Sequence, residues 1–241
     1  MSNPTAAMLV IGDEILSGRT RDANMHHLAQ ELVKVGIDLK EVRVVSDDAP
    51  AIVAAVRALS DGFDQVFTSG GIGPTHDDIT ADCIAEAFGR SIDVRDDARA
   101  LLAEAYGARG VELTEARLRM ARIPDGAALI DNPVSTAPGF TVENVHVMAG
   151  VPSVFQAMVA SVLPQLTGGT PLLSQALRVM RPESEIAGPL RDLAGVYDDL
   201  SFGSYPFQAN GVYGAQLVVR GTDGARIDAA MIALQEAFPD A

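Results

Sequence analysis

The sequence predicts an α/β protein, a parallel sheet with helices on both faces, followed by a small α+β domain. Three observations carry this. From residue 5 to residue 165, short β-rich runs alternate with helical segments, the order that builds parallel sheets. At residues 166–171 the string Leu-Thr-Gly-Gly-Thr-Pro has the composition of a linker. Beyond it the order becomes strand, helix, two strands and a helix. The expected domains are residues 1–166 and a βαββα unit at 172–241.

Each element has a local reason. Ala6–Ile11 is an apolar run of strand length, stopped by Gly12. Asp22–Val35 sets Met25, Leu28, Ala29, Leu32 and Val35 on one helical face, and Gly36 ends it where a left-handed residue closes a helix. Leu39–Val45 reads as a strand through Val42, Val44 and Val45. Pro50 opens a helix that buries Ile52, Val53, Val56 and Leu59. A strand within Asp64–Ser69 runs into a Gly-rich turn, and a helix spans Ile79–Phe88. Helices are expected at Asp96–Ala108, Thr114–Arg122 and Pro152–Leu163, and strands at Ala127–Ile130 and Val145–Met148. In the second domain, strands fall at Leu173–Met180, Leu200–Phe207 and Val212–Arg220, with a Gly-containing turn between the last two. Its helices fall at Pro182–Val196 and Asp223–Phe238.

Composition removes several function classes. The formal net charge of −14 repels phosphate backbones, and 5% aromatic residues without a Trp leave few rings to stack on bases, so no nucleic-acid partner is expected. No run of ~18 apolar residues suggests a membrane span, and the N-terminus lacks the basic start of a signal peptide. The expected compartment is the cytoplasm. The single cysteine, Cys83, can form neither an internal disulfide nor a Cys-rich zinc site, and reads as a small buried helix residue. His26, His27, His76 and His146 contain no HxxxH pair. Neither Lys34 nor Lys40 lies in a Gly-rich segment, which argues against a P-loop.

In a parallel sheet, ligands sit beyond the carboxyl ends of the strands, so the strand-to-helix loops should carry the chemistry. In Gly12-Asp13-Glu14-Ile15-Leu16-Ser17-Gly18, glycine permits close approach to the backbone. The two acids there could hold a cation, accept ribose or pterin N–H and O–H groups, or stand as solvated turn residues. The second loop is Ser69-Gly70-Gly71-Ile72-Gly73-Pro74-Thr75-His76-Asp77-Asp78-Ile79-Thr80. Its backbone N–H groups can converge on a phosphate ahead of a helix. Asp77 and Asp78 would repel that anion unless a metal bridges them, so glycines and carboxylates together point to a metal-bridged phosphate, with one acid also capping the helix. Asp47 either joins Asp78 at the strand ends or caps the helix ahead of Pro50. Asn132–Phe140, with two Pro and one Gly, makes a tight shaped loop. Ala149-Gly150-Val151-Pro152 is the fifth. Arg117, Arg119 and Arg122 read as a solvated helix face, from which one member could reach a phosphate.

Taken in order, Gly12–Gly18, Asn24, Asp47-Asp48, Gly70–Thr75 with Asp77–Thr80, and Asn132–Phe140 resemble the loops of the molybdopterin-binding-like (MoaB/Mog) family, in its CinA-type branch. The resemblance covers residues 5–165, and Gly-Gly-x-Gly-Pro-Thr-x-Asp-Asp-x-Thr is its most specific string. The C-terminal unit looks like the second domain of that branch, most closely at Ser204-Tyr205-Pro206. The resemblance implies a three-layer α/β/α domain with a mostly parallel sheet. It implies a divalent metal (Mg²⁺, Mn²⁺ or Co²⁺) at Asp13, Asp47 and Asp78, with Asp47 and Asp78 catalytic and Asp77 or Glu14 as general base. Ligand contacts are expected at Gly12, Asp13, Glu14, Ser17, Gly18, Asn24, Ser69, Gly70, Gly71, Gly73, Pro74, Thr75, Thr80, Asn132, Pro138 and Gly139. Two positions depart from the family pattern: Ala149 replaces the first Pro of Pro-Gly-x-Pro, and Ser135 stands where Gly is usual. Both are small-for-small changes, which alter shape more than chemistry.

The first functional expectation is metal-dependent hydrolysis of a nucleotide diphosphate of the ADP-ribose or FAD type, with the Gly70–Gly73 amides on phosphate oxygens. The second is molybdopterin binding and its adenylylation from ATP, as in Mog-type members; the second domain and the Gly-Pro-Thr-x-Asp-Asp string favour the first. The third is a non-catalytic pterin- or nucleotide-binding module. Relatives in the family form dimers or trimers, so a homo-oligomer is expected. The nicotinamide-nucleotide deamidase domain that often follows in the CinA-type branch is not expected, because the sequence ends at Ala241.

Overall fold

A computed structural model describes residues 2–209 and 211–239. The chain divides into two compact units, Met1–Gly169 and Thr170–Ala241. The first opens with β1 (Thr5–Ile11), the short α1 (Asp13–Leu16), α2 (Asn24–Lys34), β2 (Asp38–Val45), α3 (Ala49–Gly62), β3 (Gln65–Ser69) and α4 (Thr80–Ala87). It continues through β4 (Ile92–Val94), α5 (Asp96–Ala108), α6 (Glu115–Leu118), β5 (Arg122–Pro124), β6 (Ala128–Ile130), β7 (Gly139–Val142), β8 (Val145–Met148) and α7 (Pro152–Val162).

The main sheet has strand order β2-β1-β3-β8-β7-β6. Neighbours from β2 to β8 pair in parallel, and β7 pairs antiparallel with both β8 and β6. Alternation along β1 builds the layers. Ala7, Leu9 and Ile11 face a core with Ile52, Val56 and Leu59 of α3, Ile84 of α4 and Leu102 of α5. Ala6, Met8 and Val10 face the opposite core, with Leu28 and Leu32 of α2 and Phe155, Met158 and Val159 of α7. The sheet therefore lies between two helix layers. Cys83 lies in the first core, where burial pushes its thiol up to about 11.

Three differences from the sequence reading have local causes. The segment expected as one helix at 114–122 is α6, a 3₁₀ turn at Arg119–Ala121 and the start of β5. Pro124 biases Ile123 to extended backbone, which ends the helix early. β5 pairs antiparallel with β4, and three residues each are too few to show a period. β7 begins at the glycine of a Pro-rich loop and was expected as part of that loop. Gly139 is needed there because a Cβ would overlap the Val147 carbonyl oxygen of the neighbouring strand.

One strand of the sheet carries a pH-sensitive group. His146 on β8 is 4% exposed, and burial lowers its pKa to about 4. Nε2 donates to Gln65 Oε1 at 2.8 Å, and Nδ1 accepts from the Thr141 hydroxyl at 3.0 Å, so the neutral ring is fully satisfied. The unfolded chain takes up this proton near pH 6.5, before the folded one does. Stability is therefore lost as pH falls from 6.5 to about 4, by about 3 kcal/mol from this group. Urea midpoints measured across that window should fall with acid, and more shallowly in His146→Gln.

The second unit comprises β9 (Leu173–Val179), α8 (Glu183–Val196), β10 (Ser201–Ala209), β11 (Val212–Gly221) and α9 (Gly224–Ala237). Its antiparallel sheet has the order β10-β11-β9. Val179, Ala215, Leu217 and Val219 pack with Ile186 of α8 and with Ile227, Ala230 and Leu234 of α9. Part of the expected turn between β10 and β11, Asn210, lies outside the described residues. Among the described residues no helix is long and apolar enough to cross a membrane.

Candidate functional site

Because β1 lies between β2 and β3, the chain leaves β1 towards one side and returns on the other, and a crevice opens between the loops at the strand ends. Backbone bonds hold that edge together. The Gly12 N–H donates to the Val45 carbonyl at 3.1 Å, and the Gly70 N–H to the Met148 carbonyl at 3.1 Å. Ends of β1, β2, β3 and β8 are thereby fixed to one another before any side chain contributes.

Carboxylates gather on one side of this edge. Asp47 Oδ2 accepts from the Asp13 N–H at 2.9 Å. Burial raises the Asp47 pKa, and the charges of Asp13, Glu14 and Asp77 raise it further against that hydrogen bond. Asp48, not Asp47, caps α3, accepting from the Ala51 N–H at 3.1 Å. Asp47 is thus left for the strand edge. Asp13, Glu14, Leu16, Ser17 and Arg19 line an open depression of about 470 Å³ beside it.

The Gly-rich loop fills the other side. Gly70 (φ 112°) and Gly71 (φ 68°) take left-handed backbone, where a side chain is strained. A Cβ on Gly70 would overlap the Ile11 carbonyl oxygen, and one on Gly71 the Thr80 hydroxyl. Thr80 is fully buried; its Oγ1 donates to the Gly70 carbonyl and its N–H to the Gly71 carbonyl, both at 3.0 Å. Asp78 Oδ2 accepts from the Thr75 N–H at 2.8 Å and the Thr75 hydroxyl at 2.5 Å. One oxygen of Asp78 is therefore committed to shaping the loop. Asp77 is held below the ordinary carboxylate range by hydrogen bonding within its own turn and by the neighbouring His76. Neither acid caps α4, whose N-cap is Ile79 without a side-chain bond.

The expected site residues thus divide. Gly12, Asp13, Glu14, Asp47 and Asp77 form the acidic side. Asn24, Ser69, Gly70, Gly71 and Thr80 interlock at the loop's base, where Asn24 Nδ2 donates to Ser69 Oγ and the Gly150 carbonyl, each at 2.8 Å. Gly73, Asp78 and Pro138 line a narrow crevice with Arg119, Arg122 and Asp82, and Pro74 and Thr75 form the turn above it. Ser17 and Gly18 stand at the end of α1, with Gly18 at φ 71°. Asn132 is spent on its own loop. Nδ2 donates to Ser135 Oγ (2.6 Å) and the Ala137 carbonyl (2.8 Å), and Oδ1 accepts from the N–H groups of Val134 (3.1 Å) and Ser135 (3.2 Å). With Asn132→Ala these partners lose their bonds in a buried place, so a stability loss of about 2–3 kcal/mol is expected in urea titration.

The arginines correct the reading of a solvated helix face. Arg119 Nη2 donates to the Asp78 carbonyl at 3.3 Å, Arg122 pairs with Asp82 of α4, and Arg117 lies 4.9 Å over the Tyr106 ring. Asp82 was not foreseen. Its partner is 40 residues away, and no local pattern announces such a pair.

Among the described residues no three His, Cys, Asp or Glu side chains converge as a metal cage. Mg²⁺ and Mn²⁺ do not require one; Mg²⁺ in particular binds through one or two carboxylates and takes phosphate oxygens and water for the rest. Asp47, whose pKa is raised by burial first and by the charges of Asp13, Glu14 and Asp77 second, offers with them the hard carboxylate oxygens that such an ion takes one or two at a time.

Fold and edge together define a doubly wound α/β domain. The chain belongs to the family described as "Probable molybdopterin binding domain", which matches residues 7–168. Residues 171–241 match "FAD synthase, middle domain". A probable FAD synthase of Caenorhabditis elegans is 32% identical over 256 residues, covering 96% of this chain and 49% of that protein. A protein of Caldivirga maquilingensis is 37% identical over 165 residues, covering 67% of this chain and 64% of that one. The chain thus spans about half the length of the first of these relatives and just under two-thirds of the second. The crystal structure of the protein CinA with unknown function from Thermoplasma acidophilum is 34% identical, with a TM-score of 0.62 over 67% of this chain and 98% of that one.

Proposed function

We propose that this chain is a metal-dependent pyrophosphatase that splits a nucleotide diphosphate of the ADP-ribose or FAD type and releases AMP. The observation that carries this reading is the crowding of Asp13, Glu14 and Asp77 around Asp47, on the same edge as the Gly70–Gly73 backbone. Like charges held together favour a cation, and glycine amides favour phosphate. The probable FAD synthase among the relatives, and the FAD synthase match of the second unit, support a dinucleotide substrate.

A bound divalent ion would neutralise the diphosphate and lower the pKa of a water molecule. Asp47, with Asp13 or Asp77 beside it, would hold that ion, and phosphate oxygens and water would complete its shell. The Gly70, Gly71 and Gly73 amides would donate to phosphate oxygens and stabilise the charge that grows on them. Glu14 would take the proton of the attacking water. The water oxygen bonds to the AMP-side phosphorus. The P–O–P bond breaks, and the bridging oxygen leaves with ribose 5-phosphate or FMN. Asp78 acts on the loop through Thr75. The protein would work as a dimer or trimer.

The family's description names molybdopterin binding, which favours a second reading in which the bound pterin is the acceptor of AMP from ATP. Supplying ADP-ribose, FAD, or ATP with molybdopterin, each with Mg²⁺, Mn²⁺ or Co²⁺, separates the readings. AMP from the first two, lost with chelator, is the expected result. Adenylylated molybdopterin would replace the proposal with the second reading, and metal-independent binding without turnover would leave a binding module.

A further inference from the structure

We infer that Asn24 and Ser69 read the ring of the ligand, selecting a heterocycle that presents an N–H group beside an acceptor, as the amino edge of adenine does. The inference rests on the diphosphate reading above. Asn24 is 3% exposed, and Ser69 2%. Both N–H groups of the Asn24 amide are used, one on Ser69 Oγ and one on the Gly150 carbonyl. A carbonyl can only accept, so the Gly150 bond fixes which end of the amide is nitrogen. Asn24 Oδ1 then has no partner among the described residues. Buried acceptors are almost always paired, and an orphan at a strand edge marks a donor still to arrive.

Ser69 supplies the other half. Its oxygen already accepts from Asn24, so its own proton is free to donate. An acceptor and a donor therefore stand side by side, one residue before Gly70 opens the phosphate loop. A ribose hydroxyl would satisfy the same pair, so the test varies the ring alone.

Calorimetric titration of the full chain with ADP and with purine riboside 5′-diphosphate, both with Mg²⁺, tests this. The second nucleotide keeps the charge and ring nitrogens but lacks the amino group. ADP is expected to bind at least about tenfold more tightly, because the site otherwise keeps its buried acceptor unpaired. Asn24→Leu should bring the two affinities within about twofold. Ser69→Ala, a smaller change, should narrow the gap part-way and serves where Asn24→Leu does not fold. Equal affinities in the unmodified chain, as a resident water on Oδ1 would give, overturn the inference and leave the diphosphate reading standing. So does an undiminished preference in the variants. Binding of neither nucleotide overturns both.

Discussion

Asp47→Asn is expected to lower AMP release by about 10³-fold while leaving the chain at least as stable at neutral pH. The two halves of this result have one cause. Burial and three neighbouring acids raise the Asp47 pKa, so the folded chain binds its proton more tightly than the unfolded chain. At pH values above the folded pKa the ionised carboxylate therefore weakens the fold, and that penalty is relieved as pH falls through the folded pKa. Asparagine removes the charge and can still accept from the Asp13 N–H. Turnover should collapse because a ligand for the cation is gone, while the urea midpoint at pH 7 holds or rises. A fall in both would mean that Asp47 serves the fold and not the chemistry.

Gly70→Ala is expected to have the larger structural effect. Gly70 sits at φ 112°, and an added Cβ meets the backbone carbonyl of Ile11, which cannot rotate away. Its N–H is also tied to Met148 at the end of β8. The loss should reach about 3 kcal/mol or more, lowering Tm by about 6–12 °C. Gly18→Ala is the control. Gly18 is also left-handed (φ 71°), but no atom of the described residues lies within 4 Å of its Cβ position, so only the backbone cost of about 1 kcal/mol remains. Thermal melts of the two variants separate crowding from conformational strain.

The layers were legible because period and burial coincide. β1 alternates between two cores with no polar residue between Ala6 and Ile11, and α5 runs over the residues its apolar spacing marks. Strands β4, β5 and β7 were not legible, because three or four residues carry no period, and β5 and β7 also contain a Pro or a Gly. The candidate site was legible as a set of loops. Its internal division was not. Asp77 and Asp78 are neighbours of the same type, and only the folded turn, in which Asp78 Oδ2 takes the Thr75 N–H and hydroxyl while the Asp77 charge acts on Asp47, tells them apart. Asn132 shows the same limit, since a polar residue that closes its own loop looks in sequence like one that meets a ligand.

The central claim is that this edge delivers water to a diphosphate through a bound divalent ion. The most direct measurement is ³¹P NMR of ADP-ribose incubated with the chain and Mg²⁺ in ¹⁸O-water. The account predicts one ¹⁸O in the phosphate of AMP, none in ribose 5-phosphate, and no reaction with chelator or with Asp47→Asn. Products without label, or hydrolysis that survives chelation, would contradict it.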